Sequence, residues 1–128
     1  MANPINAGGI AFGRQARANG VRAITLANGG GTFGAKSWAS YAPSSGYAVG
    51  IANGDGGITD IANGDLAYLL EQVERIYAPK FIGTWVRGDH IVVDPITIVP
   101  TIEEARAIGK ITHQEAIYSF AEAKSITL

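Results

Sequence analysis

The feature that most constrains the fold is the stretch of residues 81–99, FIGTWVRGDHIVVDPITIV. Two runs rich in β-branched and aromatic residues flank the sequence Arg87-Gly88-Asp89-His90. A two-residue Gly-Asp loop between such runs is typical of a β-hairpin, because glycine adopts positive φ angles without steric cost. Both runs are too apolar for strands that expose one face to water. We therefore predict a central hairpin, residues 81–99, with helices packed on it.

The first predicted covering helix spans about residues 64–77. Its leucine, valine and isoleucine residues recur at the i, i+3, i+4, i+7 spacing that places them on one face. Asn63 or Asp65 can cap its start. Glu71 and Arg75 are spaced as an i,i+4 ion pair on the opposite surface. We expect the apolar stripe to pack on the hairpin.

The second predicted helix spans about residues 102–108. Thr101 followed by Glu104 is a capping box, and Gly109 is expected to end the helix. Shorter apolar runs are predicted to be strands: residues 21–27, 32–38, 46–52, 58–61 and 115–120. The order of elements indicates an α+β fold with a mainly antiparallel sheet.

The first twenty residues differ in composition from the rest of the chain. They are rich in Gly, Asn and Ala, and we predict that residues 1–20 form a flexible N-terminal arm before a single domain, residues 21–128. Arg14, Arg17 and Arg22 lie in or beside this arm. They indicate either an anion-binding arm or a solvated segment, and both interpretations stay open.

The charge balance narrows the classes of function. Only 16% of the residues are charged, against 47% hydrophobic, which suggests an interface buried in a homo-oligomer. A net charge of −1 argues against a nucleic-acid partner. The absence of cysteine excludes disulfides and thiolate chemistry. No signal-peptide pattern or membrane-spanning window is present, so we expect a cytoplasmic protein without membrane association.

No catalytic motif stands out in the sequence. His90 and Asp94 could act as a base and its orienting carboxylate, although both also suit a turn and a strand interruption. His113 is the second histidine, but no HxH or HExxH spacing occurs, so we predict no metal. Ser45 precedes a glycine without the GxSxG pattern of a serine nucleophile. We therefore expect a protein that is not an enzyme and has no cofactor.

The most informative set of residues is aromatic and basic. Aromatic rings stack on planar ligands, and arginine binds phosphates or carboxylates through a fork of donors. The alternative is that these rings belong to the core. The candidate ligand-binding residues are Arg14, Arg17, Arg22, Trp38, Tyr41, Ser45, Tyr47, Trp85, Arg87, His90 and Asp94.

Three short segments follow one another in an order that is also found in other proteins. They are residues 42–49 (APSSGYAV), residues 82–85 (IGTW) with Val93-Asp94, and residues 113–118 (HQEAIY). This order resembles small uncharacterised proteins of phages and other mobile elements, and segments inside their large polyvalent proteins. That pattern has an Asp after the last aromatic residue, where this chain has Ser119. No activity is established for the family, so the resemblance assigns no catalytic residue.

What the resemblance implies is a biological context. Small accessory proteins of phages often bind and block host factors, and some sequester nucleotide signals of bacterial immune systems. Our first hypothesis is a non-catalytic counter-defence protein that binds a small nucleotide-type signal in the cytoplasm of the bacterial host. The alternatives are a small hydrolase of such a signal, using His90 or His113 with Asp94, and a protein-binding or virion-structural module.

Overall fold

The structure is a computed structural model that describes the backbone of residues 2–128 and the side chains of residues 13–128. Within this range the chain forms three helices, each followed by two or three strands. In order they are α1 (Ala2–Asn28), β1 (Gly30–Gly34), β2 (Tyr47–Gly50), β3 (Gly57–Asp60), α2 (Leu66–Tyr77), β4 (Phe81–Arg87), β5 (His90–Val99), α3 (Ile102–Ile111), β6 (Ala116–Ser119) and β7 (Lys124–Thr127). The predicted α+β class is confirmed.

All strands pair antiparallel in one curled sheet, in the order β1-β4-β5-β2-β6-β7, with β3 added beside the first half of β5. The predicted central hairpin is confirmed. β4 and β5 pair from Phe81 opposite Ile96 to Arg87 opposite His90. Gly88 in the connecting turn has φ 58°, a left-handed backbone that glycine adopts without strain.

The helices pack on one face of this sheet. Under α1 and α2 the core contains Val21, Phe33, Leu70, Ile82 and Ile91, all of which are buried. Successive side chains on a strand point to opposite faces, so these residues identify the helix-covered face. Burying five large apolar side chains stabilises the fold by roughly 1.5–3 kcal/mol each before entropy is counted.

The third helix covers the same face further along β5. Val93 packs in the cluster under α1 and α2, and Val99 packs in a second cluster under α3 with Val49, Ala105 and Ile117. Val93 and Val99 are an even number of residues apart on one strand, so their side chains share a face. The alternate residues of β4 and β5 face the other way and are free to form a site.

The first strand predicted from the sequence is wrong. Residues 21–27 lie in α1, not in a strand. Its apolar and β-branched residues look locally like a strand. However, Ala18, Val21 and Thr25 are buried at the helical spacing i, i+3, i+7. Packing on the sheet therefore overrides the local β preference.

The predicted flexible arm, residues 1–20, overlaps this helix. Gly13 to Gly20 are helical and Ala18 is buried against the core. The side chains of residues 1–12 lie outside the described part of the chain. The division into an arm and a domain therefore stays a prediction.

Both predicted helices over the hairpin are present, with changes at their ends. Asp65 caps α2 by accepting a hydrogen bond from the backbone of Tyr68 at 3.0 Å, as the sequence suggested. Gly109 does not end α3, which continues to Ile111. Gly109 is buried, and a Cβ there would lie 2.4 Å from Leu128 Cδ1. The glycine therefore lies inside α3, on its buried face, and does not terminate the helix.

Two local pairings also differ from prediction. Glu71 binds Arg14 of α1 at 2.7 Å, and not Arg75, which donates to Gln72. Residues 121–128, for which the sequence predicted no strand, contain β7, which pairs with β6. The partner of Glu71 is distant in the sequence. The β6–β7 hairpin carries few sequence signals of its own.

Candidate ligand-binding groove

A groove of about 1060 Å³, which we call the sheet groove, lies mainly over the face of the curled sheet opposite the helices and also reaches Ile24 and Asn28 of α1. Its floor consists of small residues on neighbouring strands, among them Gly30, Ala48, Gly50 and Gly83. A Cβ at Gly30 would lie 2.6 Å from the backbone oxygen of Thr84, so a larger residue does not fit there. Small floor residues leave the volume above the sheet open. This volume is in the range of small-molecule sites.

A buried carboxylate lies on the groove floor. Asp94 is only 8% exposed, and its Oδ1 accepts a hydrogen bond from the backbone nitrogen of Gly56 at 2.7 Å. Its Oδ2 accepts one from the indole Nε1 of Trp85 at 3.1 Å. Trp85 lies opposite Val92 in the hairpin, so Trp85 and Asp94 are diagonal neighbours on one face. The carboxylate therefore joins β4, β5 and the loop before β3.

The environment of Asp94 raises its pKa above the ordinary value of 3.8. The main cause is burial, which disfavours the charged form. The hydrogen bonds from Gly56 and Trp85 and the charge of Arg87 act in the opposite direction, while the charge of Asp55 raises the pKa further. Burial is the dominant effect.

A cation lies over the tryptophan. The guanidinium carbon of Arg87 is 4.3 Å from the ring centroid of Trp85, within the range of a cation–π contact. The same guanidinium donates to both carboxylate oxygens of Asp55, at 2.7 and 3.4 Å. Asp55 lies in the glycine-rich loop between β2 and β3. Trp85, Arg87 and Asp55 thus form one connected layer at this end of the groove.

Three further aromatic rings, those of Tyr41, Tyr118 and Phe120, line other parts of the groove wall. Tyr41 stacks on Phe81 with ring centroids 4.7 Å apart and planes 19° apart. Because Tyr41 is 44% exposed, its outer ring surface is available to a ligand. Tyr118 and Phe120 form an edge-to-face pair with centroids 5.4 Å apart. The groove therefore offers ring surfaces on two sides of a floor of small residues.

The loop that carries Asp55 is held in place from the end of α3. Gln114 Nε2 donates to the carbonyl oxygens of Ala52 and Gly54, at 2.8 and 3.0 Å. His113 Nδ1 lies 2.5 Å from Asn53 Oδ1. Together with the bond from Gly56 to Asp94, these contacts fix the loop on both sides of Asp55.

The structure brings four of the predicted site residues to the sheet groove: Tyr41, Trp85, Arg87 and Asp94. Sequence reasoning missed Asp55 and Gln114 as site residues. Asp55 is 32 residues from Arg87, and nothing in the sequence links the two. The loop N-G-D-G-G, residues 53–57, consists of residues that commonly form turns, so its composition does not single out Asp55.

Four of the predicted ligand-binding residues lie on the helix side, away from the groove. They are the α1 arginines Arg14, Arg17 and Arg22, and Trp38. Arg14 makes two hydrogen bonds of 2.7 Å to Glu71. The Arg17 guanidinium carbon is 4.9 Å from the ring centroid of Trp38, which is buried. Arg22 lines a separate small cavity of about 240 Å³ between α1 and the start of α2. These residues stabilise the attachment of α1 to the domain.

Three further predicted residues also lie outside the groove. Tyr47 packs against the cluster under α3, and Ser45 is exposed in the loop before β2. His90 is exposed at the turn end of β5, four residues from Asp94, which is about 13 Å along a strand. The oxygens of Asp94 are bonded to Gly56 and Trp85 instead. The structure does not form the His90–Asp94 pair, which is one of the two pairs that the hydrolase hypothesis names.

The part of the chain with described side chains contains no cluster of three His, Cys, Asp or Glu residues suited to a metal ion. Among the described helices, none combines the length and apolar character needed to cross a bilayer.

Comparison of the chain with protein-family models, curated proteins and solved structures found no significant match.

Proposed function

We propose that this protein binds a small nucleotide-type ligand in the sheet groove and holds it without chemical conversion. The observation that carries the proposal is the groove itself: about 1060 Å³ of open volume above a floor of small residues, lined by aromatic rings and one arginine. Concave sites of this size, with a few fixed polar groups, are typical of small-molecule binding.

The contacts in the groove match the parts of a nucleotide. The outer face of Tyr41 offers a stacking surface for a base, worth roughly 1–3 kcal/mol for each stacked base in other proteins. Arg87 offers a guanidinium for an anionic group. The Oε1 atom of Gln114 receives no hydrogen bond from the described residues, while its Nε2 is anchored to the loop, so the oxygen is a fixed acceptor.

The site favours retention over turnover. Asp94 is bonded to Gly56 and Trp85, and His113 is bonded to Asn53. His113 keeps its Nε2 free of hydrogen bonds to the described residues, so the bond to Asn53 only orients the ring. General acid–base catalysis needs a group placed to exchange a proton with substrate, and both oxygens of Asp94 already accept hydrogen bonds from the protein. This supports a binding protein.

The biological role is part of the same proposal. The resemblance to phage and mobile-element proteins suggests that the ligand is a nucleotide signal of a bacterial immune system, which the protein would sequester in the host cytoplasm. A homo-oligomer, predicted from the low charge content, stays a prediction.

The test is depletion and recovery of defined signals. The purified chain is incubated with cyclic mononucleotides, cyclic dinucleotides and ADP-ribose, separated from free ligand, and heated to release what it holds. Recovery of an intact compound supports the proposal. Recovery of a cleaved compound means that the protein is an enzyme. If the concentration of free compound never falls, small-molecule binding is overturned in favour of a protein partner.

A matched pair of variants locates the binding site. Tyr41→Ala should weaken binding roughly fivefold to a hundredfold, because it removes the stacking surface. Tyr68→Ala is the control, since Tyr68 is 57% exposed on α2, on the helix side. Equal loss of affinity in both variants would place the ligand outside the sheet groove.

A further inference from the structure

The charges that line the sheet groove are nearly balanced. Arg87 and Lys124 are the basic residues of the described lining, and Asp55, Asp94 and Glu115 are the acidic ones. The arginines of α1, which the sequence suggested for anion binding, lie on the helix side. A ligand with several negative charges would therefore meet at least as much negative as positive charge. Like charges that face each other across an interface are costly.

The single arginine next to Trp85 is already neutralised. Both terminal nitrogens of Arg87 donate to the carboxylate of Asp55, and the guanidinium carbon lies over the ring of Trp85. A carboxylate and a singly charged phosphate both fit the fork of a guanidinium. One such group on a ligand can therefore replace Asp55 at Arg87 without any movement of the arginine.

Asp55 cannot withdraw far when it is replaced. The preceding residue, Gly54, is held through its carbonyl oxygen by Gln114, and the following residue, Gly56, is held through its backbone nitrogen by Asp94. The displaced carboxylate thus stays beside the ligand. A singly charged group on the ligand would share Arg87 with the displaced carboxylate, whereas a second negative charge would meet the carboxylate with no further cation beside Arg87 among the described residues.

We infer that Asp55 is the specificity-determining residue of the sheet groove, which admits planar ligands with at most one singly charged anionic group and excludes diphosphates. This inference rests on the proposed function. Its substrate class is a nucleoside or a cyclic monophosphate, in which the phosphodiester carries a single charge.

The experiment compares three probes on each of two bases: the nucleoside, its 3′,5′-cyclic monophosphate and its 5′-diphosphate, with adenine and with guanine. Calorimetry measures the affinity of each probe for the wild-type protein, Asp55→Asn and Arg87→Gln. Glu103→Gln, an exposed substitution on α3, is the matched control for loss of one negative charge. Thermal unfolding confirms that all four proteins are folded.

For the wild type we expect the cyclic monophosphate to bind at least tenfold more tightly than the diphosphate. Asp55→Asn should strengthen diphosphate binding roughly tenfold and change nucleoside binding less than twofold. Arg87→Gln should remove the preference for the cyclic monophosphate over the nucleoside. Glu103→Gln should change none of these affinities.

The outcomes separate the two proposals. If none of the six probes binds the wild type while the depletion test recovers a cyclic dinucleotide or ADP-ribose, the substrate class inferred here is wrong and the binding function stands. If no compound of either experiment binds, the proposed function fails. If probes bind but the diphosphate binds as tightly as the cyclic monophosphate, or Asp55→Asn leaves the ratio unchanged, the charge selectivity is wrong and the binding function stands.

Discussion

The indole nitrogen of Trp85 donates a hydrogen bond to Asp94, 3.1 Å away, and the same carboxylate accepts the backbone nitrogen of Gly56. One buried side chain therefore sets the position of a ring on β4 and of the loop that carries Asp55. Because Arg87 lies on that ring and binds Asp55, the carboxylate orients the whole charged end of the sheet groove.

Replacing this carboxylate should destabilise the fold. Asp94→Ala leaves the N–H groups of Trp85 and Gly56 without their acceptor, which costs about 1–3 kcal/mol of the free energy of unfolding. Urea unfolding measures the loss. Asp89→Ala, in the exposed hairpin turn, is the control and should change the free energy by less than about 0.5 kcal/mol. Equal midpoints for the two variants would show that the Asp94 bonds contribute nothing net.

The raised pKa of Asp94 predicts a specific pH dependence. A carboxyl group with a higher pKa in the folded than in the unfolded state binds its proton more tightly when folded. Its contribution to stability is therefore fully present below the unfolded pKa, near 3.8, and is lost as the pH rises through the folded pKa. Urea unfolding from about pH 3 to about pH 7 gives the free energy of unfolding of the wild type and of Asp94→Asn. The wild-type value minus the variant value should fall as the pH rises.

Asp60 provides a control of opposite sign. Backbone hydrogen bonds from Asn63 and Ala62 lower the pKa of Asp60, so its contribution is present above the unfolded pKa and is lost as the pH falls. The free energy of unfolding of the wild type minus that of Asp60→Asn should therefore rise with pH over the same range. If the difference in free energy of unfolding between the wild type and Asp94→Asn stays constant or rises with pH, the raised pKa of Asp94 is contradicted.

A buried hydroxyl pair should couple α1 to the sheet. Thr25 Oγ1 of α1 and Thr84 Oγ1 of β4 are 2.5 Å apart, and both residues are buried. Thr84→Val should destabilise the protein by about 1–3 kcal/mol, because it leaves the Thr25 hydroxyl without its partner. The double variant Thr25→Val with Thr84→Val should lose less than the sum of the two single losses. Strict additivity in this double-mutant cycle would rule out the coupling.

Two glycines should respond to the same substitution with opposite signs. Gly20 lies inside α1 with nothing within 4 Å of an added Cβ, so Gly20→Ala should stabilise the protein by about 0.5–1 kcal/mol. A Cβ at Gly30 would lie 2.6 Å from the Thr84 backbone oxygen, so Gly30→Ala should destabilise it by about 1–3 kcal/mol. Thermal unfolding of both variants checks the signs. A stable Gly30→Ala protein would mean that β1 and β4 separate more easily than the register implies.

Local sequence patterns predicted the hairpin and α2, and they failed where distant packing decides the conformation. The hairpin signal lies within its own residues, since both strands and the Gly88 turn are contiguous. The helical stripe of α2 and its Asp65 cap are equally local. Residues 21–27 have β-branched side chains that suit a strand, and only burial on the sheet makes them helical. Gly109 suits a helix end by local rules, yet it lies on the buried face of α3, which continues to Ile111.

For the candidate site, the sequence by itself determined which side chains are able to bind a planar or anionic ligand, because ring and guanidinium chemistry belong to each residue alone. The tertiary structure decided which of them share a surface. It placed Arg14 against Glu71 and Arg17 over Trp38, and it brought Arg87 together with Asp55 across 32 residues of chain. The physical reason is that strand alternation assigns side chains to a face, but only the packing of the helices decides which face is covered and which stays open.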